Sequence, residues 1–390
     1  MRVQFPSDPA EKRQALLRAV GDIKEVLAAH ADESEALRTL HPASVSALTD
    51  SGLMGLKCPV VLGGAEADPL TQMEVIEAVS YIDPSAGWCL SICNGGQSVV
   101  GACLPQSAVE RAFAGDRLPC FAGSFTARPA VAVSGGYRLS GHWPWASGIR
   151  HADWLGATVI VSDNGDAPYP RFALFPVDQA EVYDNWHVSG LTGTGSSDFS
   201  LSDIFVPEDF TIDMRRWEPL RGGPFYRLGL PGMLVNELAG FALGVARRAL
   251  DTIVNLAKTK QRGYGRQTNL ADRAAFQRAI GESDLRLRAI RALAFETLEK
   301  AWDIVRSGQS PSTDLQIDLR SMATLVVDVA RDIASIACRY GGGTAIQLNC
   351  VLQRCLRDLE AESAHLFVSD ISYELHGQCL LGREGIDPMA

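Results

Sequence analysis

The sequence predicts a multidomain α+β fold: a helical N-terminal domain, a middle β-barrel-like domain and a C-terminal four-helix bundle. Two patterns carry this prediction. Apolar residues recur with a helical period at both ends of the chain, and the region between them alternates with a period of two. At 390 residues the chain is longer than one simple core requires, so several domains are expected. We place the domains at residues 1–117, 118–225 and 226–390.

The N-terminal domain opens with a typical helix start, in which Asp8 precedes Pro9. The apolar residues behind this start follow a helical spacing: Leu16, Val20, Ile23 and Leu27. Residues 42–56 and 69–93 continue the helical pattern, with a loop between them. The middle domain is predicted from short runs of β-branched and aromatic residues that turn residues separate: 135–143, 153–161, 171–177 and 199–207.

The C-terminal domain contains helical patterns at 234–257, 271–305 and 315–340, and a last one from Ile346 to about Gly377. The first of these helices carries Ala and Gly on one face, which allows close helix packing. Long antiparallel helices of this kind favour a homotetramer that assembles through the bundle.

The composition excludes several classes of protein. With 46% hydrophobic and 21% charged residues it is globular, and a net charge of -10 without a Lys/Arg run disfavours nucleic acid as a partner. No apolar stretch is long enough to cross a bilayer, and the N-terminus lacks the apolar centre of a secretory signal. The nine cysteines show neither metal-binding nor disulfide spacing. We therefore expect reduced thiols, no metal and a cytoplasmic protein.

The stretch WPWASGIRHADW, residues 143–154, combines three tryptophans with a single serine. Trp143 and Trp145 flank Pro144, so an extended backbone points both rings to one side, and Ser147 continues that side. The simplest interpretation is a sheet face that packs on a core, because aromatic residues are common in strands.

Three motifs resemble those of the acyl-CoA dehydrogenase fold superfamily, most of all its branch of flavin-dependent monooxygenases. Residues 136–154 resemble the family's strand with a Trp-x-(Ser/Thr) step. Residues 186–208 are similar to its GlrgTgS…dVfVPe element, and residues 340–365 to its GG…lqR…RD helix. The motifs occur in the family's order, and the resemblance spans nearly the whole chain.

The resemblance implies a flavin site. In the superfamily the hydroxyl of the Trp-x-(Ser/Thr) step lies near the N5/C4a edge of the flavin, which assigns Ser147 and Trp145 to the cofactor. An aromatic row that ends in one hydroxyl also suits a buried, planar, partly polar ring. The small residues of the second motif are expected at the flavin edge or phosphate, and two arginines at the position of an element that contacts flavin from a neighbouring subunit. These residues are Thr194, Gly195, Ser196, Arg262 and Arg266.

Dehydrogenases and monooxygenases of this fold differ in whether they carry a catalytic carboxylate base. Classical dehydrogenases carry a catalytic glutamate nine residues after the Arg of the RD pair, where this chain has Leu366 instead. His365 stands beside it, and in the monooxygenase branch a histidine in this helix faces the flavin. Imidazole titrates near neutral pH and both donates and accepts hydrogen bonds, so His365 is the predicted catalytic partner of Ser147.

Substrate contacts are predicted from the N-terminal domain. Trp88 matches a "d.s.gW" element of the family, and Asn94 stands near the place where some monooxygenases carry a histidine. Together with Phe121 these residues are candidate walls of the substrate pocket. The chain has no dinucleotide fingerprint after a predicted strand, so a separate NAD(P)H:flavin reductase is expected as a partner.

These observations predict the oxygenase component of a two-component monooxygenase that uses reduced flavin (FMNH2 or FADH2) and molecular oxygen. It would hydroxylate a small aromatic, phenol- or indole-like substrate through a flavin C4a-hydroperoxide in a water-poor pocket. The alternative is an acyl-CoA dehydrogenase- or oxidase-like flavoenzyme whose base lies elsewhere, for instance at Glu237 or Glu374. A scaffold without flavin is the third possibility, which the intact Trp-x-Ser step disfavours.

Overall fold

The computed structural model describes residues 2–162, 167–263 and 267–389. Its contacts divide the chain into two compact units. Unit 1 comprises Met1–Asp68, Trp88–Val188 and Thr192–Arg227, and unit 2 comprises Pro69–Gly87, Ser189–Leu191 and Leu228–Ala390. The predicted order of helical domain, sheet domain and helical bundle is confirmed along the chain. The three domain boundaries stay predictions.

The N-terminal region is helical, as predicted. Its helices are α1 (Pro9–Leu37), α2 (Pro42–Asp50), α3 (Pro69–Ile82), α4 (Pro84–Cys103) and α5 (Gln106–Ala112). The predicted start of α1 is confirmed, because the Asp8 side chain accepts a hydrogen bond from the backbone N–H of Glu11 at 2.9 Å. Pro9 occupies the first turn, where its missing N–H leaves no helical bond unmade.

The middle region forms a seven-stranded sheet in the order β5-β6-β2-β1-β3-β4-β7. The strands are β1 (Phe121–Val133), β2 (Gly136–Trp143), β3 (Trp154–Ser162), β4 (Tyr169–Pro176), β5 (Glu181–Val182), β6 (Phe199–Pro207) and β7 (Thr211–Asp213). All pairs are antiparallel except β1 with β3. The four predicted runs are confirmed as β2, β3, β4 and β6. Apolar residues of α4, α5 and the sheet form one core, which includes Val100, Val109, Leu139, Leu155 and Phe199.

The C-terminal region forms the predicted bundle. Its helices are α6 (Val235–Ala257), α7 (Ala274–Arg306), α8 (Thr313–Gly341), α9 (Val351–Glu362) and α10 (Ile371–Leu380), with a short hairpin of β8 (Gln261–Arg262) and β9 (Thr268–Asn269) after α6. One prediction is wrong: the last pattern, 346–377, is two helices rather than one. The chain leaves α9 after Glu362 in tight turns that bring Phe367 and Val368 into the core.

The small face of α6 packs within unit 2. A Cβ at Gly240 or Gly244 would meet backbone carbonyls of α3, so the two helices approach more closely than side chains allow. This contact confirms the predicted close packing, but it occupies the glycine face inside one chain. Among the described residues, no helix is long and apolar enough to cross a membrane.

Candidate active site

The WPWASG segment is not extended throughout. Trp143 ends β2 fully buried, stacks on Phe199 at 5.5 Å and donates its indole N–H to the Thr158 carbonyl at 3.1 Å. Trp145 has a φ of 66° and is 68% exposed. The prediction that both rings lie on one side is wrong, because this left-handed residue interrupts the two-residue alternation of a strand. Trp143 is a core residue, and Trp145 presents its indole to solvent.

A chain of buried hydroxyl groups surrounds Ser147. The indole N–H of Trp88, on α4, donates to Ser147 Oγ at 3.0 Å. Ser147 Oγ lies 2.7 Å from Ser196 Oγ, which in turn lies 2.6 Å from Thr194 Oγ1. All four residues are buried. The structure therefore brings together four residues that the sequence assigned separately to cofactor and substrate.

Backbone contacts fix the segment that contains Ser147 against the segment that contains Ser196. The N–H of Gly148 donates to the Thr194 carbonyl at 2.9 Å, and Gly148 adopts a left-handed φ of 75° that turns the chain directly after Ser147. Gly195 also has a positive φ, of 57°, and a Cβ there would lie 2.9 Å from the Arg38 carbonyl oxygen. Both glycines are therefore required by the geometry that positions Ser147 and Ser196.

His151 adjoins this cluster, and the sequence analysis did not select it. It ends a one-turn 3-10 helix, Ile149–His151, and its Nε2 lies 2.9 Å from the place where a Cβ of Gly148 would be. Burial lowers the pKa of His151 to about 4, so its imidazole is neutral at physiological pH. Its Nδ1 is buried without a hydrogen-bond partner among the described residues. Its spacing of four residues from Ser147 was the available clue.

The three predicted substrate residues lie on α4 and at the start of β1, but they differ in their surroundings. Trp88 uses its N–H on Ser147, as described. The Asn94 side chain accepts from the N–H of Lys57 and donates to the carbonyls of Leu53 and Leu90, at 2.9–3.1 Å. These bonds give Asn94 a structural role. Phe121 lies in the apolar core. Substrate contacts by all three stay predictions.

A small cluster on α1 and α2 was not part of the predicted site. His30 Nδ1 and His41 Nε2 lie 2.8 Å and 3.4 Å from the same Glu33 carboxylate oxygen. The two rings stack at 4.1 Å with an interplanar angle of 6°. The ligand atoms of the three side chains lie within 4.8 Å of one another, close enough to share a metal ion. The Glu33 carboxylate also joins His30 of α1 to His41, the residue that precedes α2.

His365 belongs to unit 2 and lies in the turn after α9, not in a helix as predicted. The backbone N–H of His365 donates to the Glu362 carbonyl. The imidazole Nδ1 accepts from the backbone N–H of Phe367 at 3.4 Å. That bond assigns the imidazole proton to Nε2. Burial lowers the pKa of His365 to about 4. The side chain is therefore a neutral imidazole with a donor at Nε2, and its catalytic role stays a prediction.

The other predicted polar residues of unit 2 are separately placed. The Arg262 guanidinium donates to the carbonyls of Tyr340 at 2.9 Å and Arg339 at 3.3 Å, so it caps the end of α8. Arg266 lies outside the described residues. Of the two alternative bases, Glu237 is buried in the first turn of α6, and Glu374 is exposed on α10.

The second and third sequence motifs interlock within unit 2. The Asp358 carboxylate accepts the N–H of Leu191 at 2.6 Å, and the Arg357 guanidinium donates to the Ser189 carbonyl. A Cβ at Gly190 would overlap the Arg357 carbonyl, so only glycine allows this approach. The RD pair thus fastens the loop that precedes Thr194 along the chain.

The hydrogen bonding of Ser147 is compatible with a flavin ring as its ligand. A hydroxyl has one proton and two lone pairs, and among the described residues Ser147 uses two of these three positions, on Trp88 and Ser196. One position therefore stays open for a ligand. Trp145, two residues before Ser147, exposes its indole, which is a flat apolar surface. Two positive-φ glycines keep the adjoining backbone free of side chains.

Comparison with known proteins agrees with this architecture. Models of the acyl-CoA dehydrogenase N-terminal and C-terminal domains match residues 10–102 and 237–370. The class is therefore that of proteins built on acyl-CoA dehydrogenase domains.

Relatives define the branch. The chain is 31% identical to an indole-3-acetate monooxygenase of Pseudomonas putida, over 95% of this chain and 93% of the relative. It is 25% identical to the oxygenase component of an FADH(2)-dependent resorcinol hydroxylase of Rhizobium sp. (strain MTP-10005), over 95% and 94%. A solved structure of XiaF from Streptomyces sp., in complex with FADH2 and glycerol, superimposes with a TM-score of 0.92 at 27% identity over 98% of both chains. This chain belongs to the flavin-dependent monooxygenases of the acyl-CoA dehydrogenase superfamily.

Proposed function

We propose that the chain is the oxygenase component of a two-component monooxygenase that binds reduced flavin and hydroxylates a small aromatic molecule. The observation that carries this proposal is the buried Trp88–Ser147–Ser196 cluster, with one hydrogen-bonding position of Ser147 left over. Relatives with this architecture include a monooxygenase of indole-3-acetate and a hydroxylase of resorcinol. Both of these substrates have an electron-rich aromatic ring. This shared feature supports a phenol- or indole-like substrate for this chain.

Reduced flavin, when bound, activates molecular oxygen and supplies the oxygen atom for transfer. The residues of this chain would bind and orient it. Ser147 would hydrogen-bond the N5 edge, Trp145 would cover the ring, and the loop from Thr194 to Ser196 would line its edge. Arg262 would contribute cationic donors toward the phosphate, because a guanidinium has five N–H groups and only some of them serve the end of α8.

His365 would act on the substrate or the oxygen being transferred. A pKa of about 4 keeps its imidazole neutral at pH 7, with the proton on Nε2. A neutral N–H can donate a hydrogen bond to a developing negative charge without first taking up a proton. Trp88, Asn94 and Phe121 remain the proposed walls on the substrate side.

The partner would be a separate NAD(P)H:flavin reductase, as the name of the resorcinol relative, an oxygenase component, suggests. The chain would assemble as a homotetramer through its bundle, although the glycine face of α6 that first favoured this is occupied by α3. The cytoplasmic location and the choice between FMN and FAD stay predictions.

The test is an anaerobic titration of the purified protein with oxidised and reduced FMN and FAD. We expect tighter binding of a reduced form. Addition of oxygen, NADH, a flavin reductase and indole-3-acetate or resorcinol as probes should give a hydroxylated product. A protein that instead copurifies with stoichiometric FAD and is bleached by an acyl-CoA thioester would be a dehydrogenase, with Glu237 as the buried candidate for the base.

A further inference from the structure

The direction of one hydrogen bond in the Ser147 cluster is fixed. An indole N–H only donates, so Ser147 Oγ must accept from Trp88 through one of its two lone pairs. The second lone pair and the proton of Ser147 are then divided between Ser196 and a ligand. Either serine can be the donor in the 2.7 Å contact between them.

Two arrangements follow. If Ser196 donates, both lone pairs of Ser147 are filled, and its proton points to the ligand. If Ser147 donates to Ser196, one lone pair of Ser147 is left to accept from the ligand. Ser196 can pass the change on to Thr194, because the 2.6 Å contact between their hydroxyls also allows either direction. The hydroxyl chain therefore presents either a donor or an acceptor at one place.

Flavin N5 offers different hydrogen bonds in its two redox states, because oxidised N5 can only accept one whereas reduced N5 carries a proton that it can donate. We infer that Ser196 is a positioning residue that accepts a hydrogen bond from the Ser147 hydroxyl and thereby lets Ser147 accept one from the N5–H of reduced flavin. This inference rests on the proposed function, since it places the flavin at Ser147. The preference for reduced flavin would then depend on Ser196, which acts through Ser147 without touching the flavin.

Because the cluster is buried, loss of the Ser196 hydroxyl should weaken binding of reduced flavin more than binding of oxidised flavin. Ser147 and Ser196 are 7% and 3% exposed, so water does not readily replace a missing partner. Without the Ser196 hydroxyl, the acceptor arrangement would leave the Ser147 proton unsatisfied, whereas the donor arrangement would still give that proton to the flavin. A buried, unsatisfied donor weakens binding by about 5- to 150-fold. The loss falls on the reduced form.

The chain contains a matched control at the next residue. Ser197 is 1% exposed, and its hydroxyl has no hydrogen-bond partner among the described residues. Ser197→Ala therefore removes the same atom from the same loop at the same depth without breaking the hydroxyl chain. Thr194→Val is a second test variant, because it removes the neighbour of Ser196 and keeps the side-chain shape.

The experiment measures dissociation constants for oxidised and reduced flavin under anaerobic conditions in the wild type, S196A, S197A and T194V. We expect the ratio of reduced to oxidised dissociation constants to rise about 5- to 150-fold in S196A. It should rise less in T194V and stay within about twofold in S197A. The midpoint potential of bound flavin should fall in the same order.

The possible failures are distinguishable. If the wild type binds neither flavin form, the proposed function fails. If the wild type prefers reduced flavin and S196A keeps the same ratio as S197A, the inference about Ser196 is wrong and the proposed function stands. Equal weakening of both redox forms in S196A would also overturn the inference, because it would indicate a general contact instead of control over the direction of the Ser147 hydrogen bond.

Discussion

The segment after β2 and the segment after α9 each hold one polar side chain that the sequence predicts to be catalytic, but by different means. Ser147 is held by side chains that lie far away in the sequence, Trp88 and Ser196. His365 is held by a local turn, through the Glu362 carbonyl and the Phe367 N–H. The Ser147 hydroxyl can therefore adjust its hydrogen bonding within a network, whereas His365 has one tautomer set by its own backbone. The first arrangement suits a cofactor with two redox states, and the second suits a single donor.

The largest effect is expected at His365. His365→Ala should lower the hydroxylation rate about 10²- to 10³-fold, because it removes a donor to the developing negative charge, and it should raise hydrogen peroxide release per NADH consumed. With a pKa of about 4, the imidazole is almost entirely neutral above pH 5.5, so wild-type hydroxylation should show no inflection from this residue between pH 5.5 and 8.

The control is His376→Ala, which removes a histidine of α10 that pairs with Asp318 at 3.1 Å. It should hydroxylate at the wild-type rate. Wild-type rate and coupling in His365→Ala would show instead that this turn is structural, and the contrast between the two segments would disappear.

Glu362 should control the pH dependence of stability in unit 2. It is fully buried, and neither carboxylate oxygen has a hydrogen-bond partner among the described residues. Burial raises its pKa well above 4.5, so the folded chain keeps a proton that the unfolded chain releases. Stability therefore falls as pH rises above 4.5. Glu362→Gln should remove this loss, about 1.4 kcal/mol for each pH unit up to the folded pKa.

Urea unfolding from pH 4.5 to 8.5 measures this difference. Glu360→Gln, on the exposed side of the same helix, should leave the wild-type slope unchanged. Parallel curves for wild type and Glu362→Gln would show that the carboxylate finds a partner when it ionises.

Gly190 tests whether the loop before Thr194 depends on α9. Gly190→Ala should destabilise the protein by about 1 to 3 kcal/mol, because the new methyl group overlaps the Arg357 carbonyl and the loop must move. The comparison is Gly281→Ala on α7, where nothing lies within 4 Å of a new Cβ. That variant should be neutral or more stable by up to about 1 kcal/mol, since alanine favours helices. Thermal unfolding of both distinguishes a steric effect from a general effect of the substitution.

The smallest effect is expected at Ser147 itself. Ser147→Ala removes one hydrogen bond to the flavin and should weaken reduced-flavin binding by about 0.5 to 1.5 kcal/mol. Trp88 would then lose its acceptor, so the indole emission should also change. Anaerobic titration measures the affinity, with Ser197→Ala as the reference. An unchanged affinity would show that the Ser147 hydroxyl does not bind the flavin and that the chain of hydroxyl groups has a structural role only.

Much of the fold could be predicted because local patterns determine it. The helical spacing behind Asp8 gave α1, and the runs of alternating residues gave four strands of the sheet. The break after Glu362 could not be predicted, because Ala364 and Leu366 favour a helix and Ser363 and His365 disfavour one only slightly. The burial of Phe367 and Val368 in the turn is a tertiary effect.

The sequence motifs predicted which residues belong to the candidate site but not the hydrogen bonds that join them. The motifs gave Ser147 and Ser196, yet the left-handed φ of Trp145 depends on tertiary contacts, and nothing in the spacing distinguishes it from an extended residue. The bond from Trp88 to Ser147 joins residues 59 positions apart. Long-range contacts of this kind leave no trace in local periodicity.

The absence of a side chain at residue 190 also limits how this sequence can change over generations. As long as Asp358 holds the Leu191 N–H, any larger residue at 190 meets the α9 backbone, and the overlap is relieved only if the loop is released from Asp358. Substitution at either position alone is then selected against, and the two should be lost together. In an alignment of descendants, residues 190 and 358 should therefore vary as a linked pair, although 168 positions separate them along the chain.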